Sequence, residues 1–362
     1  MLHPAITGPV RRIVVLRALM LGDTLCAVPA LRAIRRAWPE ARISLLGLPA
    51  SRELVSRLPW VDEWLSFPGW PGMPEQAVDL KVLPDFLAAM QAASWDLAVQ
   101  LHGSGQLSNP LVALFGARHS AGFESAGAWV PAADAGLYCL WPGQGRETQR
   151  LLALCHHLGL PVDGEALEFP LKPEDDAVLD GVWPAWRQGG YACVHAGAQL
   201  ASRRWPLARF AAVAEGLRAR GLVPVLTGSA GEVALVDELA GLLALRGVPH
   251  VNLAGCTSLW TLGALLRGAR VLVCNDTGVS HVAAALRVPS VVVSSGSEVA
   301  RWAPSDRRLH RVLAADTPCR PCAHAVCPIG HPCALAVGVD EVVRTLDELF
   351  NEEETCPAAC AS

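Results

Sequence analysis

Short apolar runs alternate along this chain with stretches in which apolar residues recur every three to four positions. Residues 12–16 (RIVVL) read as a buried parallel strand. After the loop Arg17–Asp23, Leu25, Val28, Leu31 and Ile34 fall at helical spacing, with Arg32, Arg35 and Arg36 on the other side. Pro39 ends that helix. Residues 42–47 (RISLLG) predict the next strand, so the chain opens with a βαβ unit and a right-handed crossover. The Pro- and Gly-rich stretch Phe67–Pro84 reads as a loop, and Trp95–Leu101 as a strand running into His102-Gly103-Ser104-Gly105.

The pattern is clearer after residue 190. Strands are predicted at 191–195, 222–227, 250–253, 270–274 and 288–294, with helices at 207–220, from Glu232, at about 258–267 and near 281–286. Strands alternating with helices of this length predict an α/β chain with doubly wound parallel sheets. Residues 168–188 break the pattern with prolines and acids. The expected division is an N-terminal domain over 1–170, a linker over 171–188, a second domain over 189–350 and an acidic tail over 351–362. In such sheets ligands sit at the carboxyl ends of the strands, so two domains predict a central cleft lined by strand-end loops.

Composition narrows the function. Hydrophobic residues are 52% and charged residues 18% of the 362, enough for two cores. Residues 1–150 hold 13 Lys and Arg against 12 Asp and Glu, and the remainder 17 against 22. Neither part has the basic excess of a nucleic-acid binder. No apolar run reaches the ~18 residues of a membrane span. The start has no convincing signal-peptide cleavage site, so the cytoplasm is the expected compartment.

Four loops carry candidate chemistry. Gly22-Asp23 places a carboxylate at a strand-to-helix junction, where it can act as a general base or as a helix cap. Ser202-Arg203-Arg204-Trp205-Pro206 precedes a helix whose free N–H groups suit a phosphate, with a guanidinium beside it. The alternative is two solvated arginines. Asn275–His281 (NDTGVSH) offers Thr277, Ser280 and His281 as donors to phosphate, Gly278 for close backbone approach and Asp276 as an acceptor from sugar hydroxyls. The alternative there is an Asx-turn and helix cap. Gly228–Glu232 is a glycine-containing turn whose Glu232 is either a ribose contact or a first-turn glutamate.

In their order, L-R-x-x-x-x-G-D…P-A-L, H-x-G-A…R-R-W-P, T-G-S…E and N-D-T-G-x-S-H, these segments resemble glycosyltransferase family 9, the bacterial ADP-heptose:lipopolysaccharide heptosyltransferases and their relatives. The resemblance spans about residues 11–345. It implies a GT-B fold of two Rossmann-like domains, an N-terminal acceptor domain and a C-terminal donor domain. It implies inversion without a catalytic metal or other cofactor, a nucleotide-sugar donor such as ADP-heptose, a lipopolysaccharide-core or similar glycolipid acceptor, and peripheral contact with the inner membrane. On it, Asp23 matches the general base, with Gly22 in the acceptor loop. Arg203 stands where relatives carry a lysine against the donor diphosphate, Asp276 matches the donor-sugar contact, Thr277, Gly278, Ser280 and His281 match the diphosphate-side loop, and Glu232 matches a ribose contact. His195-Ala196-Gly197-Ala198-Gln199 departs from the family in having Ala where relatives have Pro or hydroxyl residues.

Cys319, Cys322, Cys327 and Cys333 crowd into one segment that recurs in relatives, with His324 and His331 among them. Two readings stand, a structural metal held by thiolates and plain buried or free thiols, neither of them catalytic. Two other functions fit the same architecture. A nucleotide-sugar 2-epimerase would need acid and base residues in the donor pocket and no acceptor groove; Asp23, opposite the donor loops, favours transfer. A non-catalytic nucleotide-binding protein would need no such residues.

Overall fold

The computed structural model describes residues 2–355. Chain compactness divides between Pro170 and Leu171 into two units. The first contains β1 (Arg12–Leu16), α1 (Leu21–Ala37), β2 (Arg42–Gly47), α2 (Arg52–Val55), β3 (Glu63–Ser66), α3 (Leu83–Ala92), β4 (Leu97–Gln100), α4 (Ser108–Ala113), β5 (His119–Glu124), β6 (Tyr138–Leu140) and α5 (Glu147–His157). Its strands pair in parallel in the order β3-β2-β1-β4-β5-β6. Strand β1 is covered on both faces, which is why it reads as an unbroken apolar run, and Ile13, Val14, Val15 and Leu16 are all buried.

The second unit contains α6 (Pro173–Val182), β7 (Tyr191–His195), α7 (Leu207–Ala219), β8 (Val223–Leu226), α8 (Val233–Leu245), β9 (Val251–Asn252), α9 (Leu259–Gly268), β10 (Leu272–Asn275), α10 (Gly278–Ala285), β11 (Ser290–Val293), α11 (Val299–Trp302), β12 (His310–Leu313), α12 (Pro332–Ala336) and α13 (Val339–Thr355). All its strand pairs are parallel, in the order β12-β11-β10-β7-β8-β9. Val194, Leu226, Val273 and Val291 from the sheet pack with Phe210 and Leu217 of α7 in its core.

Both sheets wind outward from their first strand in both directions. The order reverses between β1 and β4 in one unit and between β7 and β10 in the other. In open α/β sheets a ligand crevice forms at the carboxyl ends of the strands where the order reverses. The loops after β1, β4, β7 and β10 are therefore the places to look for chemistry.

Three sequence expectations change. The segment 171–188, read as a linker, holds α6 and a 3-10 turn at Pro184–Gln188. Its proline and acids are a helix start: Pro173 is at the first position, Glu174, Asp175 and Asp176 fill the first turn, and Asp175 accepts from the Lys172 N–H at 2.8 Å. Asn351–Thr355 of the expected tail continues α13, and residues 356–362 lie outside the described residues. The loop expected over Phe67–Pro84 ends at α3, and the short strand β3 precedes it. Among the described residues no helix is long and apolar enough to cross a membrane.

His310 of β12 is buried at the sheet edge, with Nδ1 2.9 Å from the Ser290 hydroxyl. Burial pushes its imidazole from 6.5 down to about 4; Asp306 acts the other way, and His281 and Arg287 add to the lowering. The unfolded chain takes up this proton near 6.5 and the folded chain only near 4. This contribution is complete above the unfolded value and is lost as pH falls through that window, by up to about 3 kcal/mol. Urea midpoints should therefore fall more steeply from pH 6.5 to 4 for the wild type than for His310→Asn. Parallel curves would show that His310 does not titrate in this way.

Candidate functional site

In the first unit the site grows from Arg17, the residue directly after β1. Its side chain is fully buried. Nη1 donates to the Leu101 carbonyl at 2.7 Å, at the end of β4, and Nη2 donates to Glu147 Oε1 at 3.0 Å, at the start of α5. Nε and Nη2 both donate to the Asp23 carbonyl, at 3.2 and 2.9 Å. One guanidinium thus joins the two strands that flank the order reversal and holds the main chain of the candidate base. A buried charge needs this saturation, and Glu147, also buried, supplies the opposite charge.

Helix α1 begins at Leu21 with Met20 as its N-cap, so Asp23 is in the first turn and is not the cap. This removes the cap alternative. The carboxylate is 22% exposed and its Oδ1 lies 4.0 Å from Arg17 Nη2. Gly22 is the buried residue beside it. His102, after β4, accepts from the Ala18 N–H through Nδ1 at 3.2 Å. Its Nε2 is then the protonated nitrogen, and it faces Glu75 at 3.4 Å. The hydrogen bond with His102 holds the Glu75 carboxyl below its usual value, against the opposing effect of burial. The sequence reading missed Arg17, Glu147, His102 and Glu75. The signals for the first were an arginine closing an otherwise apolar strand and its place in the L-R-x-x-x-x-G-D segment, to which no role had been given.

In the second unit the centre is Asn275, at the end of β10 and fully buried. Its Nδ2 donates to the carbonyls of Ala196 (2.8 Å) and Gly197 (3.3 Å), in the loop after β7. Its Oδ1 accepts from the Trp205 N–H at 2.9 Å. One amide, on the residue just before Asp276, therefore fixes the start and the end of the loop that carries Arg203 and Arg204.

Around this amide the expected residues take distinct places. Helix α10 starts at Gly278, three residues earlier than its apolar spacing suggested, with Thr277 as N-cap. The N–H groups of its first turn follow Asp276 directly. His281 is buried within that turn and meets Trp302 edge-to-face at 6.4 Å. Ser280, expected to donate to phosphate, is buried and donates its hydroxyl to the Thr277 carbonyl at 2.8 Å. A hydroxyl has one hydrogen, so Ser280 closes the helix start and is not a ligand donor in this arrangement.

Arg203 is not a solvated side chain. Its Nη1 donates to the Ser295 carbonyl at 3.0 Å and its Nη2 to the Cys322 carbonyl. It clamps the loop after β11 to the cysteine segment, and only its remaining N–H groups stay available to a diphosphate. Arg204 donates through Nε to the Ala198 carbonyl at 3.0 Å and acts electrostatically on Glu232.

Glu232 Oε2 accepts from both the N–H and the hydroxyl of Ser229 at 2.8 Å. It lies 4.0 Å from Nε2 of buried His195, whose Nδ1 is 3.1 Å from the Thr227 hydroxyl. Burial pushes the His195 imidazole down, against the pull of Glu232. Burial also opposes charge on Glu232, but the Ser229 N–H, His195, the Ser229 hydroxyl and Arg204 together hold its carboxyl below the usual value. Gly197, in the loop after β7, makes room for this carboxylate: a Cβ there would lie 1.9 Å from Glu232 Oε1.

The cysteine segment brings its thiols and histidines to separate places. Among the described residues no three His, Cys, Asp or Glu side chains converge as a ligand set. Cys327 accepts from the His331 N–H at 3.1 Å, Cys333 is buried, and all four cysteines are free thiols. The segment works through its main chain. It receives the Ser202 N–H at the Ala325 carbonyl and the Ser202 hydroxyl at the His324 carbonyl, while His331 Nε2 reaches the Ser202 carbonyl at 2.7 Å.

Gly197→Ala should force Glu232 off Ser229 and cost about 1–2 kcal/mol in urea denaturation. The penalty should shrink below about 0.5 kcal/mol when Glu232→Ala is already present. An equal penalty in both backgrounds would mean that the glutamate does not occupy this space.

The chain matches the model of glycosyltransferase family 9 (heptosyltransferase) over residues 86–332. Lipopolysaccharide heptosyltransferase 2 of Escherichia coli is 26% identical over 300 residues, 78% of this chain and 82% of that protein. Lipopolysaccharide heptosyltransferase 1 of Pseudomonas aeruginosa is 34% identical over 170 residues, 45% of each chain. Among solved structures, the family 9 glycosyl transferase from Veillonella parvula superimposes with a TM-score of 0.78 at 18% identity, covering 94% of this chain and 98% of that one. The E. coli ADP-heptose lipopolysaccharide heptosyltransferase II gives 0.74 at 22% identity, covering 95% and 99%. These structures share the fold, the GT-B pair of Rossmann-like units. With a family match over more than half its length, the chain belongs to glycosyltransferase family 9, the heptosyltransferases, and is a sugar-transferring enzyme.

Proposed function

We propose that this enzyme transfers a heptose from ADP-heptose to a sugar hydroxyl of a lipopolysaccharide core or a related glycolipid, with inversion at the anomeric carbon. The donor and acceptor follow the relatives. The E. coli and P. aeruginosa proteins are named lipopolysaccharide heptosyltransferases, and a structural neighbour at 19% identity was solved with ADP-2-deoxy-2-fluoro heptose. The observation that carries the site assignment is the buried Asn275 amide, which ties Asp276 to the loop of Arg203 and Arg204 where the strand order reverses.

In this reading the second unit binds the donor. The diphosphate lies against the first-turn N–H groups of α10, where the helix dipole favours negative charge. Gly278 lets it approach the backbone, with Thr277, His281 and the free N–H groups of Arg203 around it. Glu232 accepts from ribose hydroxyls through the oxygen that is not bound to Ser229. Asp276 accepts from hydroxyls of the heptose. Asp23 of the first unit takes the proton of the acceptor hydroxyl as that oxygen bonds to the anomeric carbon. The bond from that carbon to the diphosphate breaks, and the electron pair leaves with the diphosphate. Stabilisation of the growing negative charge by these donors accelerates the step. Reaction takes place on the cytoplasmic side, with the glycolipid presented at the membrane surface.

Asp23→Asn keeps the shape but cannot accept a proton. Its kcat for ADP-heptose should fall by ~10²–10⁴-fold with ADP affinity unchanged. Normal turnover would refute the base assignment. Asp276→Ala should weaken ADP-heptose binding in isothermal titration while leaving ADP binding nearly unchanged, and His281→Ala should weaken both. Tighter binding of UDP- or GDP-sugars than of ADP-heptose would keep glycosyl transfer but replace the donor.

A further inference from the structure

The loop after β11, Ser294-Ser295-Gly296-Ser297, faces the donor residues but has no part in the scheme above. Ser297 donates its hydroxyl to Asp276 Oδ2. Ser294 Oγ lies 2.7 Å from Ser297 Oγ. Arg320 Nη2 donates to Ser294 Oγ at 3.2 Å and to the Ser297 carbonyl at 2.8 Å, while its Nη1 is held by the Ala315 carbonyl at 2.9 Å. Ser294 and Ser297 are both buried.

Elementary donor counting sets the direction of this chain. A serine hydroxyl carries one hydrogen, and that of Ser297 goes to the carboxylate, which when ionised only accepts. The Ser294–Ser297 contact must then run from Ser294 to Ser297. Ser294, having given its hydrogen, accepts from Arg320, which can only donate. Every link points the same way, from a guanidinium through two hydroxyls to a carboxylate. Such a chain strengthens its last bond and permits one carboxylate orientation. The loop itself is gripped on both sides, by Arg320 at Ser297 and by Arg203 at the Ser295 carbonyl. It cannot drift from Asp276 without breaking bonds to both arginines.

We propose that Ser297, backed by Ser294 and Arg320, is a positioning residue that orients Asp276 so that Oδ1 meets the donor-sugar hydroxyls. This rests on Asp276 as the donor-sugar contact. Ser297 touches no substrate in this scheme; it acts through the carboxylate. Its effect is therefore confined to ligands that carry the sugar.

The test compares ADP-heptose and ADP by isothermal titration across five proteins: wild type, Ser297→Ala, Ser297→Thr, Asp276→Ala and the double variant of Ser297→Ala with Asp276→Ala. Ser297→Ala should weaken ADP-heptose binding by about tenfold, the value of one lost charge-assisted hydrogen bond, and leave ADP binding within about twofold. Ser297→Thr, which keeps the hydroxyl, should restore most of the loss. Adding Ser297→Ala to Asp276→Ala should produce no further loss. Equal weakening of ADP and ADP-heptose by Ser297→Ala, or failure of the threonine to rescue, would mean that the serine only supports the fold, and would overturn the proposal. If Asp276→Ala removes the preference for ADP-heptose while Ser297→Ala keeps it, the positioning role falls and the donor site stands. If Asp276→Ala leaves that preference intact, the donor-sugar assignment falls and takes the positioning role with it.

Discussion

The candidate site of the second unit depends on one buried primary amide. Asn275 ends β10 with its side chain aimed across the point where the strand order reverses, and all three of its bonds go to main-chain groups of the neighbouring loop. That loop has few main-chain bonds of its own, because it leaves the sheet at His195 and does not enter α7 until Leu207. The carbonyls of Ala196 and Gly197 and the N–H of Trp205 would otherwise be buried without partners, at a cost of about 1–3 kcal/mol each. Asparagine suits the position because it offers donors and an acceptor on one short planar group. Aspartate could not donate to the carbonyls, and leucine would orphan all three groups. Trp205 completes the anchoring: it is fully buried, and its indole N–H donates to the Val337 carbonyl at 3.1 Å.

Arginine performs the corresponding task at longer range. Arg17, Arg203 and Arg320 each spread a guanidinium over carbonyls from separate parts of the chain. The planar fork bonds several acceptors at fixed angles, which a lysine cannot reproduce. Only Arg17 is wholly buried, and it is also the one with a buried carboxylate at 3.0 Å. The distinction follows from desolvation, since a charge removed from water needs a counter-charge as well as hydrogen bonds. Arg203 therefore does more than supply charge: its fork reaches the β11 loop and the cysteine segment together.

Much of this was legible in the sequence, and the misses share a physical cause. The parallel strands announced themselves because burial on both faces leaves unbroken apolar runs, as at 12–16 and 191–195. Both site helices begin earlier than their apolar periodicity. Gly22-Asp23 and Gly278-Val279-Ser280 are poor helix formers, so nothing in the spacing marks them as helical. The edge strand β3 is only half-buried and short, which erases its signal. Residues 171–188 misled because proline and acids mark a helix start as readily as a linker. The contacts that orient the site were invisible for a different reason. Arg17 and Glu147 are 130 positions apart, and Arg203 and Cys322 are 119 apart. No local pattern encodes such pairs.

The cysteine segment packs against the loop after β7 and the loop after β11 in the same way. Its contribution lies in backbone groups, with carbonyls at Cys322, His324 and Ala325 accepting from Arg203 and Ser202, and the Cys322 N–H donating to the Gly296 carbonyl at 2.8 Å. Gly296 has φ of +69°, and a Cβ there would lie 2.9 Å from Cys322 Sγ and 3.3 Å from Arg203 Nη1. A small, polarisable thiol against a glycine lets two irregular loops approach closely enough to exchange main-chain bonds. The thiol is there for its size, and the glycine for its backbone angle and its missing side chain. Together they bring the β11 loop, with Ser297 at its end, within reach of the Asp276 carboxylate.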